Sequence, residues 1–237
     1  MNSTFIVAKR EFRSNFDSPV GYVVLCLSLA IVGVIIFREF WTVNRATVGP
    51  LFQYLPWALS LLIVPAVTMR LFAEEKHTGT IELLITMPVR DREVVMGKYL
   101  ASMGLIAVLL LLTVTYPLTI TRLGHVEKGP VMTGYLGLML MSSAAIAIGL
   151  FFSSLTENQI VAFTCTCVSL FGLWVLDYLG GTLNGVVADV VTFFSFQRHM
   201  TPFARGLIDL RHVVFFVSVT VFFLMLTTRS LESRKWK

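Results

Sequence analysis

The sequence predicts an all-α, polytopic membrane protein with six transmembrane helices. Of the 237 residues, 56% are hydrophobic and only 14% are charged, whereas soluble domains carry about 25% charged residues. Apolar runs of about 20 residues, the length that crosses roughly 30 Å of hydrocarbon, recur along the chain. In a membrane protein, the excess of basic residues behind the net charge of +5 helps to set the orientation of the spans and attracts anionic lipid. Because no basic stripe is interleaved with aromatic residues, no nucleic acid is expected as a partner.

The first predicted element is an interfacial helix over residues 2–18. Phe5, Phe12 and Phe16 are spaced to share one helical face, and basic residues occupy the others. This pattern is typical of a short amphipathic helix that lies in the membrane interface. A disordered tail is the alternative.

Six predicted spans follow, and together they make residues 1–237 a single transmembrane domain. The spans cover residues 19–37, 51–71, 94–121, 131–155, 160–179 and 213–228. Before the last span, Val186–Phe196 is apolar but measures only roughly 17 Å as a helix, which is too short to cross. We therefore expect a short re-entrant or interfacial helix there.

Lysine and arginine residues set the expected orientation. Of the 19 basic residues, 12 fall on the side of the two chain ends and seven on the other side. Since cytoplasmic loops are enriched in Lys and Arg, both termini are predicted to be cytoplasmic. The charged loop, defined as residues 73–98, lies on the same side.

Several kinds of chemistry are missing from the pattern. The spans carry no charged residue away from their ends, which argues against an ion-coupled transporter. Gly97-Lys98 resembles the end of a phosphate-binding loop, but Arg92 replaces its first glycine and Tyr99 follows the lysine. The four histidines are scattered without metal-ligand spacing. We therefore predict a non-enzymatic chain with no catalytic residue and no bound cofactor or metal.

The charged loop is the longest polar interruption of the chain, and it contains a predicted short helix. Gly79 or Thr80 can start this helix, and Glu82 lies in its first turn, where an acidic residue is favourable. Ile81, Leu84 and Ile85 are spaced to share one apolar face. Pro88 ends the helix. A short helix with an apolar face suits a groove on a partner protein, and a helix lying on lipid is the alternative. Asp91 is expected to cap the helix that enters the third span.

A second turn on the same side, reading SSLTENQ, connects the fourth and fifth spans. Thr156 is placed to cap the fifth span, and Glu157 to lie in its first turn.

These residues resemble ABC-2-type transporter permeases, the membrane subunits of ATP-driven exporters. The family pattern is an acidic-basic cluster, then GT-x-E-x-LL, Pro-Val, and Gly-Lys entering the third helix. The matching positions are Glu74, Glu75, Lys76, Gly79, Thr80, Glu82, Leu83, Leu84, Pro88, Val89, Gly97 and Lys98. The resemblance covers nearly the whole chain, from the N-terminal helix around Lys9, Arg10, Glu11 and Phe12 through the SSLTENQ turn to FARGLIDLRHVVFF. That last stretch is most similar to the gliding-motility-associated and nitrous-oxide-reductase-maturation permeases.

The resemblance implies a complex in the bacterial inner membrane, with two permease protomers, identical or different, and two copies of a cytoplasmic ABC ATPase. The partner ATPase would bind ATP and Mg²⁺. The docking residues implied in the charged loop, as a coupling helix, are Gly79, Thr80, Ile81, Glu82, Leu83, Leu84, Ile85 and Pro88. A second cytoplasmic contact would comprise Thr156, Glu157 and Asn158.

Two functions remain open from the sequence. The first is the permease subunit of an ATP-driven exporter. The second is an ATP-driven membrane scaffold that acts mechanically on envelope or periplasmic partners, in gliding motility or enzyme maturation, without moving a solute.

Overall fold

The computed structural model describes residues 3–17, 19–43, 48–80, 90–123, 127–183 and 185–233, and all regular structure in these ranges is helical. The helices are α1 (Ser3–Asp17), α2 (Pro19–Val43), α3 (Gly49–Ala58), a π-helical segment (Leu59–Ile63), α4 (Val64–Thr68), α5 (Ala73–His77), α6 (Asp91–Thr113), α7 (Thr115–Leu123), α8 (Lys128–Leu155), α9 (Gln159–Thr182), α10 (Val186–Phe193), α11 (Phe196–Ala204) and α12 (Leu210–Glu232).

Six stretches of these helices are long and apolar enough to cross a membrane. They are Gly21–Arg38, Gly49–His77, Asp91–Arg122, Lys128–Leu155, Gln159–Thr182 and Leu210–Glu232. The prediction of an all-α protein with six spans is therefore confirmed. The second and third spans run further toward the charged loop than predicted, because the polar residues at their ends continue the helices.

The fourth span, α8, is the central helix of the fold. In its apolar stretch 67% of the residues are buried, against 22% in α9 and in α12, and it packs against α4, α6, α9, α11 and α12. Small residues make this possible because they let neighbouring backbones approach closely. A Cβ added at Gly149 would lie 2.8 Å from the Cβ of Thr68 on α4.

Hydroxyl groups add hydrogen bonds between the spans. Tyr99 Oη on α6 lies 2.6 Å from Ser143 Oγ on α8, which in turn lies 2.9 Å from Thr220 Oγ1 on α12. This chain of hydroxyls ties the third, fourth and sixth spans together without any charge.

The second span changes its helical register between Pro56 and Pro65. Five residues, Leu59–Ile63, form a π-helical segment, a local widening that often marks a bend or a functional site. Pro65 has no N–H to donate to the Leu61 carbonyl four residues earlier, and the Cys167 thiol donates to that carbonyl at 3.4 Å. The indole of Trp174 donates to Ser60 Oγ at 3.0 Å. The fifth span thus satisfies polar groups that the irregular second span presents to it.

The short helix predicted over Val186–Phe196 is present as α10, and a further helix, α11, follows it before the last span. They are separated at Phe194 and Ser195. The Ser195 hydroxyl is fully buried and accepts from the Arg198 amide at 3.5 Å, so it caps α11. The predicted short helix is therefore present as α10, and it ends before Phe196 because the capping Ser195 starts a separate helix. Its re-entrant or interfacial placement stays a prediction.

Two histidines that are far apart in the sequence meet between α11 and α12. The Nδ1 atoms of His199 and His212 are 2.8 Å apart, and His199 Nε2 lies 2.8 Å from the Phe193 carbonyl oxygen. Because this carbonyl can only accept, His199 Nε2 carries the proton and His212 Nδ1 donates to His199 Nδ1. Burial lowers the pKa of the His199 imidazole, which favours this neutral pair.

The close approach of α8 and α4 predicts that Gly149→Ala destabilises the protein. The added methyl overlaps the Thr68 side chain, and overpacking of this kind costs about 1–3 kcal/mol. Gly172→Ala on α9 is the matched control, since nothing lies within 4 Å of its added Cβ and alanine favours a helix. Thermal unfolding in detergent should show a lower unfolding temperature for Gly149→Ala and an unchanged or higher one for Gly172→Ala. Equal unfolding temperatures for the two variants would contradict this packing.

Candidate functional site

The candidate site lies on one face of the helical bundle, which we call the terminal face. It comprises α1, α5, the start of α6, residues 155–158 and the end of α12. Contacts join these elements: Lys98 on α6 pairs with residues of α1 and α5, Ser153 on α8 binds the start of α5, and the end of α12 lies beside the start of α6. The charged loop begins with α5 and ends in the first turns of α6, so both of its ends lie on this face.

The buried ammonium of Lys98 is the centre of the site. Lys98 is 1% exposed, and its Nζ lies 2.6 Å from Glu75 Oε1 on α5 and 3.4 Å from Glu11 Oε1 on α1. The ring of Phe72 lies beneath it, with its centroid 5.3 Å from Nζ. Lys98 therefore joins α1, α5 and α6 at one point.

The physical reason for this arrangement is the cost of burying a charge. A lone ammonium is expensive to remove from water unless carboxylates and hydrogen bonds replace its hydration. The two carboxylates, and Arg10 at 3.1 Å from Glu11 Oε1, keep the cluster close to neutral. Glu75 Oε2 is also buried and has no partner within the described ranges.

Gly97, next to Lys98, lets α1 lie against α6. A Cβ at Gly97 would be 2.6 Å from Val7 Cγ1 and 3.2 Å from the Thr4 carbonyl oxygen. The Gly-Lys pair thus has two structural roles, with the glycine admitting α1 and the lysine holding it.

The helix predicted over residues 2–18 is present as α1, and its place in the membrane interface stays a prediction. Lys9 and Arg10 are exposed, whereas Glu11 and Phe12 are partly buried. The Phe12 and Phe16 rings pack together with centroids 5.1 Å apart. Phe5 is 62% exposed, so only part of the predicted aromatic face packs against the rest of the protein.

A second set of bonds ties α5 to the end of the fourth span. Ser153 Oγ accepts from the amides of Phe72 at 3.1 Å and Ala73 at 3.2 Å. It donates to the Met69 carbonyl at 3.2 Å. The buried ammonium of Lys76 donates to the Ser154 carbonyl. The short helix α5 is therefore held on one side by α8 and on the other by Lys98.

The predicted second contact, Thr156, Glu157 and Asn158, is partly or fully exposed on the terminal face. The predicted cap was wrong. Asn158, not Thr156, caps α9, because Asn158 Oδ1 accepts from the Ile160 amide at 2.9 Å. Thr156 Oγ1 accepts from the Asn158 amide at 3.1 Å, and Glu157 precedes the helix.

Only the start of the predicted coupling helix, Gly79 and Thr80, belongs to the described residues. Gly79 has a φ of +71°, a conformation that favours glycine, and Thr80 Oγ1 donates to the Glu75 carbonyl at 3.3 Å. The remaining docking residues, Ile81, Glu82, Leu83, Leu84, Ile85 and Pro88, lie outside the described residues.

The second edge of the loop is capped differently from the prediction. Asp91 is the first residue of α6 and not its cap. Instead, Glu93 Oε2 accepts from the Arg90 amide at 3.1 Å, which satisfies a free donor at the helix start.

A cavity of about 470 Å³ adjoins the Lys98 cluster, between α1, α4 and α5. Charged and polar residues line much of it, among them Arg10, Glu11, Ser14, Arg70, Glu75 and Lys98. In the part of the chain that is described, no three His, Cys, Asp or Glu side chains are placed to hold a metal ion. Several of the charged residues that line the cavity belong to the ion pairs that connect α1, α5 and α6.

Replacement of Lys98 by Met should strongly destabilise the protein, because Glu75 and Glu11 lose their shared counter-ion. Breaking a buried pair costs about 3–5 kcal/mol. The double variant Lys98→Met with Glu75→Gln should recover much of that loss, since Glu11 keeps its contact with Arg10. Arg13→Met, which removes the exposed pair with Asp17, is the control and should change little.

The measurement is the unfolding temperature of each variant in the same detergent. If Lys98→Met unfolds like Arg13→Met, or if Glu75→Gln gives no recovery, the Lys98 cluster does not hold the three helices together.

Comparison with known proteins agrees with this architecture. A family model described as ABC-2 family transporter protein matches residues 42–228, which is most of the chain. No curated protein matches the chain significantly. The matched family supplies the membrane component of transporters, whose ATPase lies in a separate subunit. With its six apolar spans, the chain is a multi-pass membrane protein and belongs to the ABC-2 family of transporter proteins.

Proposed function

We propose that the chain is the permease subunit of an ATP-driven export complex, and that it converts movement of a separate ATPase into movement of its spans. The observation that carries this proposal is the ion pair between Lys98 and Glu75. It joins the two ends of the charged loop, so a force on the loop reaches α5 and α6 together.

The terminal face is the cytoplasmic face in this proposal, with both chain ends in the cytoplasm of a bacterium and the spans in its inner membrane. The distribution of lysine and arginine along the sequence supports this orientation. Two permease protomers, identical or different, would assemble with two ATPase subunits. ATP and Mg²⁺ would bind to the ATPases, and this chain would bind no cofactor and catalyse no reaction.

The ATPase would dock on the charged loop from Gly79 to Pro88 and on the turn from Thr156 to Asn158. The geometry of α5 supports a single docking surface, because Ser153 fixes the start of α5 to the end of α8, next to that turn. One ATPase could then contact both segments at once. The apolar residues Ile81, Leu84 and Ile85 would fill a groove on the ATPase, as amphipathic helices do in other complexes.

Movement would pass from the loop into the membrane by two routes. The first is Lys98, which connects α5 to α6 and, through Glu11, to α1. The second is the continuous second span, Gly49–His77, which ends in α5. Its π-helical segment at Leu59–Ile63 provides a place where that span can bend.

A mechanical role on envelope partners is the second candidate. The similarity of FARGLIDLRHVVFF to motility and enzyme-maturation permeases favours it, as does the apolar surface of α10, where Val186 is 78% exposed. ATP-dependent movement of a solute into or out of vesicles containing the purified complex would favour export. Robust ATPase activity without solute movement would favour the mechanical role.

The docking proposal predicts that Glu82→Lys, or Leu84→Asp combined with Ile85→Asp, releases the ATPase subunit. Charge reversal removes the acidic first turn, and the double change removes the apolar face that would enter the groove. Co-purification of the ATPase with the tagged chain should fall at least tenfold, which corresponds to about 1.4 kcal/mol. Glu127→Lys, on the opposite face of the bundle, is the control and should retain the ATPase.

Each variant must elute as a single species at the unmodified position, which separates lost docking from unfolding. Full retention of the ATPase by both loop variants would rule out the charged loop as the docking element.

A further inference from the structure

A groove of about 340 Å³ lies between α6 and α12 at the terminal face. Its apolar walls come from Val95 and Met96 on α6 and from Val221, Leu224 and Met225 on α12. Met225 is 65% exposed and Met96 is 39% exposed, so the groove opens to the surroundings of the bundle. Since both helices are long and apolar enough to span a membrane, the open side of the groove is accessible to lipid.

Charged side chains are confined to one end of this groove. Arg92, Arg229 and Glu232 lie there, near the start of α6 and the end of α12. Arg92 and Arg229 are exposed, and neither forms an ion pair with any carboxylate in the described ranges. From Arg229 to Val221 the wall extends for about 12 Å at 1.5 Å per residue. The groove is therefore amphipathic along its length.

We propose that this groove binds one phospholipid with a singly anionic headgroup, from the membrane leaflet at the terminal face. The phosphate lies between the guanidinium groups of Arg92 and Arg229, which suit phosphate oxygens. One acyl chain lies along Met96, Val221 and Met225. Basic pockets between spans are known recognition sites for anionic lipid headgroups.

The balance of charge selects the class of lipid. The charged side chains that line the rim, Arg92, Arg229 and Glu232, have a summed charge of +1. A singly anionic phospholipid neutralises this rim. A zwitterionic lipid could place its phosphate on the arginines, but its own cation would leave the excess positive charge uncompensated.

The same charges disfavour the surface of a second protomer as the occupant. An apolar helix in the groove would cover Arg92 and Arg229 without supplying an anion, and burial of an unpaired charge is costly. A lipid satisfies both the apolar walls and the charged rim.

The test is native mass spectrometry of the full-length chain, titrated with phosphatidylglycerol, phosphatidylethanolamine and phosphatidylcholine that carry identical acyl chains. The unmodified chain should bind one phosphatidylglycerol in preference to the other two. Arg92→Gln combined with Arg229→Gln should weaken this binding by about ten- to thirtyfold, at roughly 1 kcal/mol for each cation. Arg13→Gln combined with Arg122→Gln removes two exposed arginines elsewhere and should leave the preference unchanged.

Met225→Trp keeps the arginines but fills the apolar walls, and it should also displace phosphatidylglycerol. It serves as the second variant if the double arginine variant does not fold. Four results would overturn the proposal: undiminished binding in the arginine or Met225 variants, no preference among headgroups, displacement of the lipid by inorganic phosphate, or conversion of a dimer to a monomer in the arginine variant. The last result would assign the groove to a protomer interface.

Discussion

The buried ammonium of Lys98 is the constraint on which the terminal face depends. A lysine that is 1% exposed requires counter-charges, and Glu75 and Glu11 supply them from two other helices. Any displacement of α1 or α5 away from α6 would leave a charge buried and unpaired. The positions of three helices are therefore set by one electrostatic requirement, in a protein whose spans otherwise pack through apolar contacts and hydroxyl groups.

The Lys98 ion pairs also connect the two ends of the charged loop. Glu75 and Lys98 lie near the two ends of the charged loop, so their 2.6 Å contact joins these ends. On the other side, Ser153 and Ser154 attach α5 to the central helix α8. A partner protein that displaced the loop would act on a closed unit with connections to α1 and to the third and fourth spans. The ABC-2 family match is consistent with a partner of this kind, an ATPase in a separate subunit.

Much of the fold could be predicted from the sequence because length and apolar composition alone define a membrane span. The helix ends were harder to predict. Ala73–His77 is polar, yet it continues the second span because Ser153 satisfies amides at its start. A buried Ser195 divides a run that hydropathy alone treats as one helix. The contact between His199 and His212 depends on how α11 folds back on α12, which local patterns do not encode.

The candidate site was predictable only in part. The Gly-Lys pattern marked Lys98, but its partners come from α1 and α5, and no sequence spacing links these three segments. The residue that caps α9 is Asn158, two positions after the predicted Thr156. The sequence could not distinguish them because both side chains favour helix starts, and only the backbone geometry shows which one caps the helix. The docking residues from Ile81 to Pro88 lie outside the described residues and remain a prediction.

The most direct test of a closed unit at the loop base is a distance between spin labels on α1 and α5. Labels at positions 13 and 77, both exposed, would be introduced after replacement of the three native cysteines. In the complex with its ATPase, the distribution of distances between the two labels should be narrow, and its mean should be the same with and without ATP. Lys98→Met should broaden this distribution. A distance that changes with ATP in the unmodified protein, or stays narrow in Lys98→Met, would contradict a unit held together by Lys98.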